Sequence, residues 1–174
     1  RALDPAAFIK AKLLEQEQRH AKHQDTPFAL EPNLKEAPGG LRDLQVIRWI
    51  ARAAGIGARW RDLQRRGLIL GREAAQIARD EALLQDLRIR LHYLAGRRED
   101  RIAFDYQNAL AAQCGLREAH GRRAGERLMQ RYYRTAKSIT QLNAILLQNL
   151  EAELAPEPAT EPRMLNERFQ IRGQ

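Results

Sequence analysis

At 174 residues, with 44% hydrophobic and 30% charged residues, the chain suits one packed domain with a wet surface. No run approaches the roughly 18 apolar residues of a membrane span, no signal-peptide pattern opens the sequence, and the single cysteine excludes an internal disulfide and fits a reducing, cytoplasmic setting. The net charge of +8 is carried mainly by arginine, with 14 Arg against 8 acidic residues between Arg42 and Arg101. Such a surface attracts phosphates or nucleotides, but aromatics make up only 6% and interleave with no basic run, which argues against a nucleic-acid groove.

The stretch "LDPAAFIKAKLLEQEQRHAKH" predicts a first helix, with Asp4 as N-cap and Pro5 at the first helical position, where its missing N–H is harmless. "FALEPNLK" breaks the helical period. Phe28, Leu30 and Leu34 alternate with polar residues, so one short strand is expected within residues 28 to 35, bent or at an edge because of Pro32. "LRDLQVIRWIARAAG" has Leu41, Leu44, Ile47 and Ile50 at helical spacing and ends at Gly55, and "WRDLQRRGLI" is a short helical turn closed by Gly67.

A long helix follows from near Arg72, striped by Leu84, Leu87, Leu91 and Leu94, and then a shorter one over "FDYQNALAAQCG". The longest begins near Gly125. Leu128, Tyr132, Ile139, Leu142, Leu146 and Leu150 keep one of its faces apolar, and the two long stripes are expected to pack on each other. After Leu154, "APEPATEPR" reads as a linker and "MLNERFQIRGQ" as a first extended segment of something further. The expected fold class is all-α, a mostly helical bundle with at most one short strand near the N-terminus.

The chemistry concentrates in "EPNLKEAPGGLRDLQ", residues 31 to 45. Gly39 and Gly40 allow backbone amides to approach a ligand closely, a helix opens at once with its positive dipole end, and Lys35 and Arg42 flank the turn. Together they describe an anion site, most naturally for phosphate. Glu31, Glu36 and Asp43 could orient those cations or help hold a metal. The competing reading is a plain strand-to-helix turn with capping charges. His20 and His23, three apart on the first helix, read as a solvated helix end. The sequence holds no H-E-x-x-H, no Cys/His ligand spacing, no H-D motif and no G-S-x(n)-D-x-D motif, so neither a zinc site nor two-metal phosphoryl chemistry is indicated.

"LEPNLKEAPGGLRDLQVIRWIAR" resembles the signature segment of the bifunctional PII uridylyltransferase/uridylyl-removing enzymes. The resemblance extends to "AKLLEQEQRHAKH" before it and to "LRIRLHYLAGRREDRIAFDYQ", "MQRYYRTAKSITQLNAILLQ" and "LNERFQIRG" after it, which is nearly the whole chain in order. It implies a helical domain between a nucleotidyltransferase domain and an HD-type domain, with PII and UTP as partners and Mg2+ for the parent enzyme. The implied division is 1–36, adjoining the transferase domain; 37–154, the helical domain; and 155–174, a linker towards the HD-type domain.

On that resemblance Lys35 and Arg42 would contact UTP phosphates, with Gly39 and Gly40 giving backbone access and Asp43 fixing Arg42 or capping the helix, or the same turn would only brace the catalytic domain. Arg88, His92, Arg101, Asp105 and Gln107 form a second candidate cluster, a polar network on and after the long helix, functional or purely structural. No catalytic residue and no metal ligand is assigned to this chain, and the fragment alone is expected to be inactive. The alternative function is a docking module that binds PII or another domain through its arginine-rich face.

Overall fold

A computed structural model describes residues 4–119, 121–154, 163–166 and 169–171. Six helices follow one another: α1 (Pro5–Ala21), α2 (Leu41–Ala53), α3 (Trp60–Arg65), α4 (Gly71–Ala95), α5 (Phe104–Gln113) and α6 (Ala124–Leu154). Their ends follow local chemistry. Asp4 accepts the Ala6 amide at 3.0 Å to start α1. Glu73 accepts the Leu70 amide at 2.8 Å to start α4, and Gly96 stops α4 in the left-handed conformation that a Cβ would disfavour.

The 31-residue α6, about 46 Å long at 1.5 Å per residue, is the post of the bundle and packs against α1, α2, α4 and α5. Its buried stripe contains Leu128, Tyr132, Ile139, Leu146 and Leu150, while Leu142 is only partly covered. Leu84, Leu87 and Leu91 of α4 are fully buried and Leu94 packs at the edge of the same core, so the two predicted stripes do meet. Asp80, buried on α4, is satisfied by the Ser138 hydroxyl of α6 at 2.8 Å and the Gln76 amide at 2.9 Å. On the other side Glu81 joins three helices, accepting from Trp60 Nε1 of α3 at 2.8 Å and from Arg48 of α2 at 3.0 Å.

The segment 28–35 forms no strand. Its pairing is a single bridge between Asn33 and Arg101, because Asn33 turns the chain instead, its side chain accepting the Lys35 and Glu36 amides at 2.9 and 2.8 Å. Two short antiparallel strands, β1 (Arg163–Asn166) and β2 (Phe169–Ile171), lie in the region read as extended. Of the predicted linker over 155–163, residues 155–162 lie outside the described residues and Arg163 begins β1.

Candidate functional site

The turn between Lys35 and Asp43 is built from the inside. Asp43, on the first turn of α2, has no solvent exposure. Its carboxylate binds the Arg19 guanidinium and the His20 ring, the latter at 2.9 Å, and its second oxygen accepts the Gly39 amide at 2.8 Å. One side chain thereby ties α1, the turn and α2 together. A lone buried carboxylate is costly, and three partners are what make it tolerable.

Gly39 has φ +75°, and a Cβ there would collide with the Ala136 carbonyl of α6. At Gly40 a Cβ would sit 2.8 Å from the Ala37 and Lys35 carbonyl oxygens. Gly39 therefore serves close packing on α6, and Gly40 the tightness of the turn itself. The amides of the turn are also occupied. Gly40 donates to Ala37 at 2.8 Å, Leu41 to Leu34 at 3.0 Å, Arg42 to Lys35 at 2.9 Å and Asp43 to Gly40 at 3.2 Å.

The side chains of Lys35 and Arg42 reach the surface. Both pair with Glu36, at 3.2 and 3.1 Å, and Arg42 also donates to Gln45 at 2.9 Å. Arg42 and Lys12 each lie 5.3 Å from the Trp49 ring centroid, a cation–π arrangement. Burial pushes the Glu36 carboxyl up, but hydrogen bonds from Arg42 and Lys35 outweigh it and hold the group below its ordinary value. Asp43 neither fixes Arg42 nor stands free for a metal; Glu36 and Gln45 hold Arg42.

His20 is not a solvated helix end, since it is largely buried and bound to Asp43. Burial lowers the His23 imidazole below its ordinary value, with Glu36 opposing and Arg19 assisting. Arg19 is the residue that sequence reasoning missed. Its neighbour gave a signal: Ile9, Gln16, His20 and His23 recur at one helix face, which marks that face as inward and brings Arg19 to its edge.

The second predicted cluster divides in two. Arg88 and His92 converge on Asp100, at 2.5 and 3.1 Å. Burial raises the Asp100 carboxyl, and the hydrogen bonds from Arg88 and His92 more than reverse this, leaving it below its ordinary value. Arg101 instead pairs with Glu31, whose other oxygen accepts the Phe104 amide at 2.9 Å, while Gln107 donates to the Leu30 carbonyl at 3.0 Å. Asp105 is exposed and joins neither group. Both halves staple the loop after α4, and the Glu31 half borders a cleft of ≈ 520 Å³ whose walls include Lys22, His23, Leu30 and Phe104.

Among the described residues no three His, Cys, Asp or Glu side chains gather to hold a metal ion. Magnesium does not fit the carboxylates of the turn, which are committed to Arg19, His20, Lys35 and Arg42. Cys114 is half-buried at the end of α5, and burial raises its thiol, the setting of an inert side chain.

The sequence profile described as GlnD PII-uridylyltransferase matches residues 7–147. The chain is 57% identical over 171 residues to the bifunctional uridylyltransferase/uridylyl-removing enzyme of Nitrosospira multiformis, covering 98% of this chain and 19% of that protein. It is 58% identical to the proteins of the same name from Cupriavidus pinatubonensis, over 96% of this chain and 19% of that one, and Aromatoleum aromaticum, over 97% and 20%. The chain thus spans about a fifth of the length of the curated relatives it matches. No solved structure matches it. With the profile covering most of the helical bundle and the identities this high, the chain belongs to the PII-uridylyltransferase family.

Proposed function

We propose that this chain is the helical domain of a bifunctional enzyme that uridylylates and deuridylylates PII, and that its Lys35–Asp43 turn braces the transferase half of that enzyme. In this reading UTP and magnesium are held chiefly by the transferase half. The flanking transferase and HD-type domains belong to the same longer chain, with the divisions at 1–36, 37–154 and 155–174. The observation that carries it is the buried Asp43, which locks α1, the turn and α2 into one rigid block against α6 and spends the turn's amides internally. A block of that kind positions surface groups; it offers no backbone cradle of free amides. Lys35 and Arg42 are the groups it presents, and any contact with UTP phosphates is made by their side-chain tips after exchange with Glu36.

Arg42→Ala in the longer enzyme tests this. A charged hydrogen bond to phosphate is worth about 1.5–3 kcal/mol, so direct contact predicts a loss of roughly tenfold to a hundredfold in transfer efficiency, seen in the KM for UTP, with removal spared. Bracing predicts that kcat for transfer falls while the KM for UTP holds. If transfer is unchanged and only the melting temperature falls, the turn is internal scaffold and the proposal fails.

The docking alternative also has an observation behind it. Arg131, Arg134 and Lys137 on the outer face of α6 have no ion-pair partner among the described residues.

A further inference from the structure

Arg127, Arg131, Arg134 and Lys137 recur at spacings of four, three and three, which places them along one outer face of α6 over about 15 Å of helix. Arg127, Arg131 and Arg134 line a cleft of ≈ 320 Å³ floored by Leu116. Directly beside it lies a second cleft of ≈ 480 Å³, walled by Phe28, Met129 and Tyr133 and rimmed by Arg134 and Lys137. Arg134 and Gln130 belong to both clefts, so the two form one surface, an apolar notch with a cationic border.

The notch is held in shape. Phe28 and Tyr133 meet edge to face at 5.8 Å, and the Tyr133 hydroxyl donates to the Ala29 carbonyl at 3.1 Å. Phe28 nevertheless remains 53% exposed. Some surface arginines pair with carboxylates, as at Arg48, Arg88, Arg90 and Arg101, and others, as at Arg52, Arg61, Arg72 and Arg98, do not among the described residues. What marks α6 is that Arg131, Arg134 and Lys137, without a carboxylate partner among the described residues, follow one another along one face beside an apolar notch, and like charges at this spacing repel one another along the helix.

We propose that this face docks an acidic segment of another domain of the same longer polypeptide, with one apolar side chain in the Phe28–Met129–Tyr133 notch and carboxylates on Arg131, Arg134 and Lys137. The cations extend over too great a length to converge on a single phosphate. The two rings stand edge to face and offer no stacked platform for bases. A carboxylate-bearing segment with an apolar anchor matches both parts of the surface. The matched relatives are about five times as long as this chain, and a tethered domain is presented at an effective concentration on the order of millimolar, far above that of most free partners. The inference rests on the reading that the chain sits within such a longer enzyme.

Lys137 supplies the test, because it brings an amine to the proposed contact. Zero-length carbodiimide coupling condenses an amine with an adjacent carboxylate, losing one water, and mass spectrometry of the longer enzyme identifies the pair. The expected result is a Lys137 amide to an Asp or Glu outside the 174 residues, in the monomer band, with a yield that falls about tenfold in Arg131→Glu/Arg134→Glu. Both arginines are exposed, so circular dichroism should be unchanged. Should the double variant not fold, coupling of the unaltered enzyme in 1 M salt must fall instead, since screening then reaches within about 3 Å. Coupling confined to the 174 residues, found only between molecules, or insensitive to charge reversal and salt overturns the proposal. Uridylylation and removal are assayed on the same preparation. Both activities without the coupling leave the functional reading standing and sink the docking face, whereas coupling without either activity does the reverse.

Discussion

Arg19 and Asp43, 24 residues apart, meet as an ion pair inside the molecule, with Asp43 fully enclosed; the other two guanidinium nitrogens of Arg19 are buried without a hydrogen-bond partner among the described residues, Nε lying 4.0 Å from Glu36. Removing one member of such a pair strands the other. Asp43→Ala is expected to cost about 3–5 kcal/mol, seen as a lower urea midpoint at unchanged slope. Asp43→Asn keeps an acceptor for the Gly39 amide and should lose less, about 1–3 kcal/mol. Equal, small effects for both would show that the carboxylate does not hold the turn.

Gly39 tests the packing account of the same turn. Gly39→Ala adds a Cβ at positive φ against the backbone of Ala136, and strain plus overpacking should destabilise by on the order of 2–4 kcal/mol. Gly115→Ala is the control, since φ there is also positive but nothing lies within 4 Å. Thermal melting of the two variants separates conformational strain from collision, and a similar loss in both would remove the close-approach argument.

Stability should fall in two steps as pH drops. The His23 imidazole is held below its ordinary value, so its contribution is complete above about pH 6.5 and is lost as pH falls through the lower folded value. Glu36 and Asp100 are likewise depressed, so theirs is complete above about pH 4 and is lost below it as the carboxylates protonate. Melting temperatures across pH 2 to 8 should lose the upper step in His23→Gln and flatten in the lower one in Glu36→Gln and Asp100→Asn. A profile unaltered by all three substitutions would contradict the assigned partners.

The isolated 174-residue chain should neither transfer UMP to PII nor remove it. The carboxylates of its turn are taken up by cations, and it holds no two-metal motif. Incubation with PII, UTP and magnesium, followed by mass measurement of PII, checks both reactions. Turnover above a no-enzyme control would move catalysis into this chain.

Much of the fold was legible because helices announce themselves locally. Asp4, Pro5, Gly55 and Gly67 mark ends by their own backbone chemistry, and the stripes on α4 and α6 follow helix period, although the stop of α4 at Gly96 is not among the predicted ends. The strand expected within 28–35 failed for a reason that alternation does not record: Asn33 satisfies two following amides with its own side chain. The candidate site was legible in its location and not in its wiring. Pro38-Gly39-Gly40 beside Lys35 and Arg42 looks the same in sequence whether the amides face a ligand or their own carbonyls. Which of these holds depends on Ala136, about a hundred positions away, and on Arg19 arriving from another helix.

The stacking of Arg42 and Lys12 on Trp49 gives this protein an optical handle on its own turn. The chain has two tryptophans. Trp60 is buried and hydrogen-bonded to Glu81, so its emission should be blue-shifted and steady. Trp49 is 37% exposed, with two cations over its ring. Anything that draws Arg42 away, a nucleotide phosphate or an arriving domain, uncovers that indole and changes its quantum yield, so occupancy of the turn can be followed by intrinsic fluorescence without a label.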